Sequence, residues 1–387
     1  MKLADRLSLL GTETAFLVLA KAKELEAQGK KIIHLEIGEP NFETPKNIIN
    51  AAVQALNDGW THYNPSAGLP QLRQVIASDI NKSRGINIGP GNVVVTPGGK
   101  PIIFFSLLAL VNPGEEVIYP NPGFPIYESV INFVEGKAVP IKLREENRFH
   151  LDIEELESLI TPKTRLIIIN SPQNPTGSVL TGEELKAIAE IAIKNDIYVL
   201  TDEIYSRILY ESKHLSIASV PGMLDRTIIL DGYSKTYAMT GWRLGYGVMP
   251  EDLAEQVAKL ATNCNSCTTT FAQIAGIEAL TGDQSAVGGM VSEFKKRRDI
   301  FYDGLCKISG FKCHKPHGAF YLFPKITDLG LESSMLEERL MREAGIAALS
   351  GTSFGAYGEG YIRFSYANST ENILRALEKL SDFVDKL

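Results

Sequence analysis

The chain has 387 residues, 44% of them hydrophobic and 22% charged, a composition that excludes a disordered or fibrous protein and gives room for about two domains. With 46 Asp and Glu against 39 Lys and Arg the net charge is −7, which argues against a surface built to neutralise nucleic-acid phosphates or anionic lipid. The longest apolar stretch, residues 102–111 with Ser106 inside it, is too short for a bilayer, which takes roughly 20 residues.

In chain order, the first 25 residues carry Asp5, Arg6, Glu13, Lys21 and Lys23 among apolar residues. They read as a helix ending near Leu25 and lack the uninterrupted apolar core of a signal peptide, so the expected location is the cytoplasm. Short β-branched runs follow at 92–96, 116–119, 166–170, 198–201, 227–230 and 244–248, alternating with helical patterns. That alternation predicts an α/β fold, a mostly parallel sheet wrapped by helices, in a large domain over residues 44–281. Thr181 and Glu184 form a capping box for a helix running to about residue 195, and 251–261 and 271–280 read as further helices. After Gly282 the pattern changes to a charged helix over 293–305, short strands near Phe320 and Ile362, and a last helix from Thr370. That helix places Ile373, Leu374, Leu377, Leu380, Phe383 and Val384 on one stripe. Residues 282–387, joined by 1–43, are therefore expected to form a smaller α+β domain. The basic cluster Lys295 to Arg298 reads as a solvated helix face.

The most informative stretch is residues 232–245, Gly-Tyr-Ser-Lys-Thr-Tyr-Ala-Met-Thr-Gly-Trp-Arg-Leu-Gly, between two predicted strands. A lysine among small residues can be desolvated enough to act as an amine nucleophile and form a Schiff base with an aldehyde cofactor; an isolated Ser-Lys pair is usually only a surface loop. Gly98-Gly99-Lys100 follows a strand and opens a helix, where backbone N–H groups and the macrodipole favour an anion. Pro101 supplies no N–H there, so the amides of Gly99, Lys100 and Ile102 are the expected donors, with Ser234 and Arg243 as side chains. Cys264 and Cys267, and Cys313 with His314 and His317, fit no standard zinc spacing or redox pair, and no metal is expected. His34, His62, His150 and His214 stand alone and receive no role.

Eight motifs then fall in one order: Ile37-Gly-Glu-Pro40, Tyr63-Asn-Pro-Ser-Ala-Gly68, Gly98-Gly-Lys100, Asn170-Ser-Pro-Gln-Asn-Pro-Thr-Gly177, Asp202-Glu-Ile-Tyr205, Ser234-Lys235, Arg243 and Ile362-Arg-Phe-Ser365. Together they resemble the class I aminotransferases of fold type I, which use pyridoxal 5'-phosphate and include aspartate aminotransferase. The resemblance covers nearly the whole chain and implies a role for each position. Lys235 would carry the cofactor and relay a proton from the substrate Cα. Asp202 would pair with the pyridine nitrogen, while Tyr205 and Asn174 would donate to the ring's phenolic oxygen. Gly99, Lys100, Ser234 and Arg243 would hold the phosphate, joined by Tyr63 reaching across a homodimer interface. Phe124 would stack on the ring where the aspartate enzymes carry a tryptophan. Arg363 would grip the substrate α-carboxylate with two parallel hydrogen bonds, helped by the Gly38 N–H and by Asn174.

Lys100 also resembles a lysine that reads the distal carboxylate of aspartate or glutamate, although Glu13 and Ala15 lie where the aspartate enzymes offer small hydroxyl donors. The implied reaction moves an amino group between an L-amino acid and a 2-oxo acid, with glutamate, 2-oxoglutarate or aspartate as one partner. Lys235, Asp202 and Arg243 are shared with lyases, racemases and decarboxylases of the fold, which stay open as alternatives. A non-catalytic regulator is the remoter one, since known regulators of that type carry an added DNA-binding domain.

Overall fold

The computed structural model describes residues 3–387. The β-branched runs assemble into one seven-stranded sheet in the order Val93–Thr96, Gly245–Val248, Thr227–Gly232, Tyr198–Asp202, Thr164–Asn170, Glu116–Asn121, Lys137–Lys142. Six strands run in one direction, and Gly245–Val248 is antiparallel to both of its neighbours. Helices cover both faces, so the central strands are apolar throughout instead of alternating. Val117, Ile168, Leu200 and Ile228 face the helices Lys100–Leu110 and Glu251–Asn265. Their strand neighbours Ile118, Ile167 and Val199 point the other way, onto Leu185, Ile188 and Ala192 of the helix Gly182–Lys194. That helix starts on the expected capping box: Thr181 Oγ1 accepts from the Glu184 N–H and Glu184 accepts from the Thr181 N–H.

The edge strand Lys137–Lys142 escapes the sequence pattern. Its Lys-Ala-Val-Pro-Ile-Lys carries a proline and is mostly half-exposed, and proline is tolerated only where a strand has an unpaired side.

Beyond the sheet, Tyr321–Leu322, Ile362–Ser365 and Leu349–Ser350 form a small antiparallel sheet, while Ile33–His34 pairs in parallel with Ile346–Ala347. They pack with the helices Ser285–Leu305 and Thr370–Val384 around Phe294, Phe301, Phe320, Phe364 and Ile373. The N-terminal helix Thr14–Ala27 buries Val18, Ala22 and Leu25 in a cluster holding Ile118 of the large sheet as well as Ala347 and Leu349.

Two expectations are corrected here. Leu374 is 49% exposed, and Ala376 takes its place on the buried stripe of the last helix. The cluster Lys295 to Arg298 is not a solvated face, because four consecutive helical residues wrap the whole circumference. Lys296 is exposed, but Arg297 and Arg298 are buried. The Arg298 guanidinium grips both oxygens of Glu211 at 2.5 and 2.6 Å and lies 4.5 Å from the Tyr210 ring centroid.

Candidate active site

The strands Thr164–Asn170 and Tyr198–Asp202 end together, Asn170 opposite Asp202, at the edge where open parallel sheets bind ligands. A cavity of about 570 Å³ opens there, walled on its other sides by residues 13–16 and 37–39 and by Leu349, Ser353, Phe354 and Arg363.

Lys235 lies in the turn after the strand Thr227–Gly232, and its ammonium donates to the Gly38 carbonyl at 2.6 Å. Burial opposes its charge and lowers its pKa to about 8. Gly38 is thus an acceptor here, not only the N–H donor expected. A side chain is excluded at Gly38, since a Cβ would sit 2.1 Å from the Tyr321 hydroxyl.

Asp202 and Glu203 are adjacent carboxylates with opposite surroundings. The Asp202 carboxylate faces the cavity and accepts from the Tyr127 hydroxyl at 2.6 Å and the Ile204 N–H at 3.2 Å. It has no lysine or arginine at ion-pair distance among the described residues. Burial accordingly pushes its pKa up to about 6. Glu203 points away from the cavity. Burial opposes its charge too, but His214 and Arg84 outweigh it and hold the carboxyl at about 2. The contacts are 2.7 Å to His214 Nε2 and 3.0 Å to Arg84 Nε, and Arg84 also reaches Asp231 at 2.6 Å. His214 therefore does not stand alone, and neither does His34, whose ring bonds Glu36 at 2.7 Å. The separation of the two carboxylates identifies the one that awaits a cationic partner.

Arg363, on the strand Ile362–Ser365, is 3% exposed. Its guanidinium lies between the rings of Tyr321 and Phe354, 4.3 and 4.8 Å from their centroids. It donates to Asn174 Oδ1 at 3.0 Å and to the Glu36 carbonyl, while its Nε has no partner among the described residues. Asn174 is held by Asn170, whose side chain accepts the Asn174 N–H at 2.9 Å and donates to the Asp202 carbonyl. The Tyr205 hydroxyl bonds that of Tyr321 at 2.7 Å.

Gly99, Lys100, Phe124, Ser234 and Arg243 line the same cavity. The Ile102 amide is not free for an anion, as expected of it, because it donates to the Gly99 carbonyl at 3.0 Å. The Gly99 and Lys100 N–H groups have no acceptor among the described residues. Arg243 sits at φ 52°, left-handed backbone that a bulky residue adopts only under constraint. Tyr63 is not brought to this cavity; it is 89% exposed. Cys264, Cys267, Cys306 and Cys313 are free thiols. No group of His, Cys, Asp and Glu among the described residues could hold a metal.

Residues 30–380 match the family of class I and II aminotransferases. The chain belongs to that family. It is similar to the aspartate aminotransferase of Pyrococcus abyssi, 40% identical over 98% of this chain and 97% of the relative. It is equally similar to an aromatic-amino-acid aminotransferase of Thermococcus litoralis, 40% identical over the same shares. Among solved structures, the aspartate aminotransferase of Thermus thermophilus with maleate superposes with a TM-score of 0.94 at 36% identity, covering 99% of each chain. The protein is thus a pyridoxal-phosphate-dependent aminotransferase with the fold of its family.

The cavity of this aminotransferase fits its cofactor on its own chemistry. A pyridine nitrogen would supply the cation that buried Asp202 lacks. The free amides of Gly99 and Lys100, with Arg243 and Ser234, form a donor set for a phosphate. Gly98 is where a side chain would displace that set, as a Cβ would lie 2.2 Å from Arg243 Nη2. Tyr127, Tyr321, Phe16 and Phe354 are site residues that no motif announced. Tyr127 meets Asp202 from 75 positions away and Tyr321 meets Tyr205 from 116 away, so no local pattern marks them.

Proposed function

We propose that this aminotransferase moves the amino group of an L-amino acid to a 2-oxo acid, with glutamate, 2-oxoglutarate or aspartate as one partner. The observation that carries the assignment of roles is that Lys235, Asp202 and Arg363 converge on one cavity while each lacks a full charge partner there. When bound, pyridoxal phosphate supplies an electron sink for the bond broken at the substrate Cα. Arg363 binds the substrate α-carboxylate through its guanidinium edge, and the Tyr321 and Phe354 rings fix the plane of that fork. Asn174 and the Glu36 carbonyl hold the guanidinium in place before substrate arrives. Lys235, with a pKa near 8, is substantially neutral in mildly alkaline solution and removes and returns the proton at Cα. Asp202 is mostly ionised above pH 6 and would keep a cationic ring nitrogen protonated. Phe124 would provide an apolar face for the ring, and Tyr205 and Asn174 would donate to its phenolic oxygen.

The same reading divides the chain into a large domain of residues 44–281 and a smaller one of 1–43 with 282–387. It makes the active unit a homodimer in which Tyr63 completes the partner subunit's phosphate site. The exposure of Tyr63, together with exposed Trp60, Ile49, Val53 and Leu56, supports an interface there. The same reading expects the enzyme in the cytoplasm. No helix among the described residues is long and apolar enough to cross a membrane. Borohydride reduction of the holoenzyme followed by peptide mapping tests the assignment: the label is expected on Lys235 alone, and a label on any other lysine overturns it.

A further inference from the structure

The side-chain end of the cavity holds a feature that the reaction itself does not require. Glu13, just before the N-terminal helix, turns into the cavity and places Oε1 2.8 Å from Lys100 Nζ. Glu13 is 14% exposed and Lys100 46%. The contact brings the charges together without hydrogen-bond alignment, so that buried Oε1 has no directional partner among the described residues. The Lys100 ammonium also lies between two aromatic rings, 5.9 Å from the centroid of Phe16 and 5.7 Å from that of Phe124. Ile37 and Ile103 complete an apolar wall. Glu13 thus presents to Lys100 the group that a dicarboxylic substrate would present, a carboxylate arriving from the cavity side. Its charge is also felt at Lys235 and Arg363, on which it acts to favour the protonated forms.

We infer that Glu13 is a specificity-determining residue: it neutralises Lys100 while an uncharged or aromatic side chain occupies the aromatic-walled end of the cavity, and yields Lys100 to the distal carboxylate of a dicarboxylic substrate. This rests on the reading that Lys100 faces the substrate side chain. With the pair closed, an apolar side chain meets rings and a neutral ion pair and leaves no buried charge uncompensated. A dicarboxylate must displace Glu13, and the poor alignment of the contact keeps that displacement small in free energy. One cavity thereby serves both partners of the two half-reactions, and Glu13 sets how unequal they are. A partly exposed pair of this kind changes affinity by up to about fivefold.

The test uses holoenzyme and two unreactive acids, maleate with two carboxylates and 3-phenylpropionate with one, whose dissociation constants are measured by calorimetry. Glu13→Gln keeps the side-chain shape and removes the charge. The ratio of the 3-phenylpropionate constant to the maleate constant is expected to rise roughly two- to fivefold in the variant. Because both ligands are titrated into one preparation, any inactive fraction cancels in the ratio. A ratio that stays within twofold of the wild-type value, or falls, overturns the role of Glu13. Lys100→Ala separates the underlying reading: if it leaves maleate affinity unchanged, Lys100 does not face the substrate side chain and both readings go.

Discussion

Asp202→Asn removes the charge that burial opposes and leaves the shape of the side chain in place. In the folded chain the Asp202 carboxyl titrates at about 6, against 3.8 for the group in the open. Between those values the native state binds more protons than the unfolded state, so this residue makes stability fall as pH rises. At 1.36 kcal/mol per pKa unit the penalty approaches about 3 kcal/mol at pH 8 and is about 1.6 kcal/mol at pH 5. An unfolding entropy of about 2.1 cal/mol/K per residue gives this chain about 0.8 kcal/mol/K. The cofactor-free Asn variant should therefore melt ~4 °C above wild type at pH 8 and ~2 °C above it at pH 5. Pyridoxal phosphate should narrow or reverse the order, because the cationic nitrogen relieves the wild-type carboxylate only. Thermal melts by circular dichroism at the two pH values decide the matter. A gain equal at both, or a variant less stable at pH 8, refutes the claim that Asp202 is an uncompensated buried charge.

Gly38→Ala should drive a methyl group onto the Tyr321 hydroxyl and break its bond to Tyr205, lowering kcat/KM roughly tenfold in steady-state assays. Arg363→Lys replaces a fork by a point charge; KM should rise roughly 10- to 100-fold for charged and uncharged amino acids alike, since all share the α-carboxylate. Co-expression of Tyr63→Phe with Lys235→Ala gives heterodimers with one site carrying both lesions and one carrying neither. Activity above that of either parental homodimer is expected, and its absence would place Tyr63 outside the partner's site.

What the sequence made legible follows from where its constraints are local. Strands buried on both faces appear as unbroken β-branched runs, so 166–170 and 198–201 are visible in isolation, whereas the half-exposed edge strand with Pro140 has no such signature. The same limit misplaced Arg297 and Arg298: a run of cations looks solvated until Asn41 supplies an acceptor to the first and Glu211 to the second, each from a distant segment. In the site, residues borne by loops of special backbone, such as Asn174 and Lys235, announce themselves through their Gly, Pro and Ser neighbours. Tyr127 and Tyr321 do not, because each is chosen by a single polar atom brought to it from across the fold. The engagement of the Ile102 amide with Gly99 depends on how tightly the first turn closes, which composition does not record.

The walls of the cavity come from widely separated parts of the chain, and this has a consequence for biosynthesis. Lys235, Asp202 and the Gly99 turn leave the ribosome well before Arg363 and Phe354, which lie close to the C-terminus. All seven strands of the large sheet, within residues 93–248, are likewise synthesised before the arginine clamp. The residues expected to anchor the cofactor thus precede in time the arginine expected to grip the substrate carboxylate.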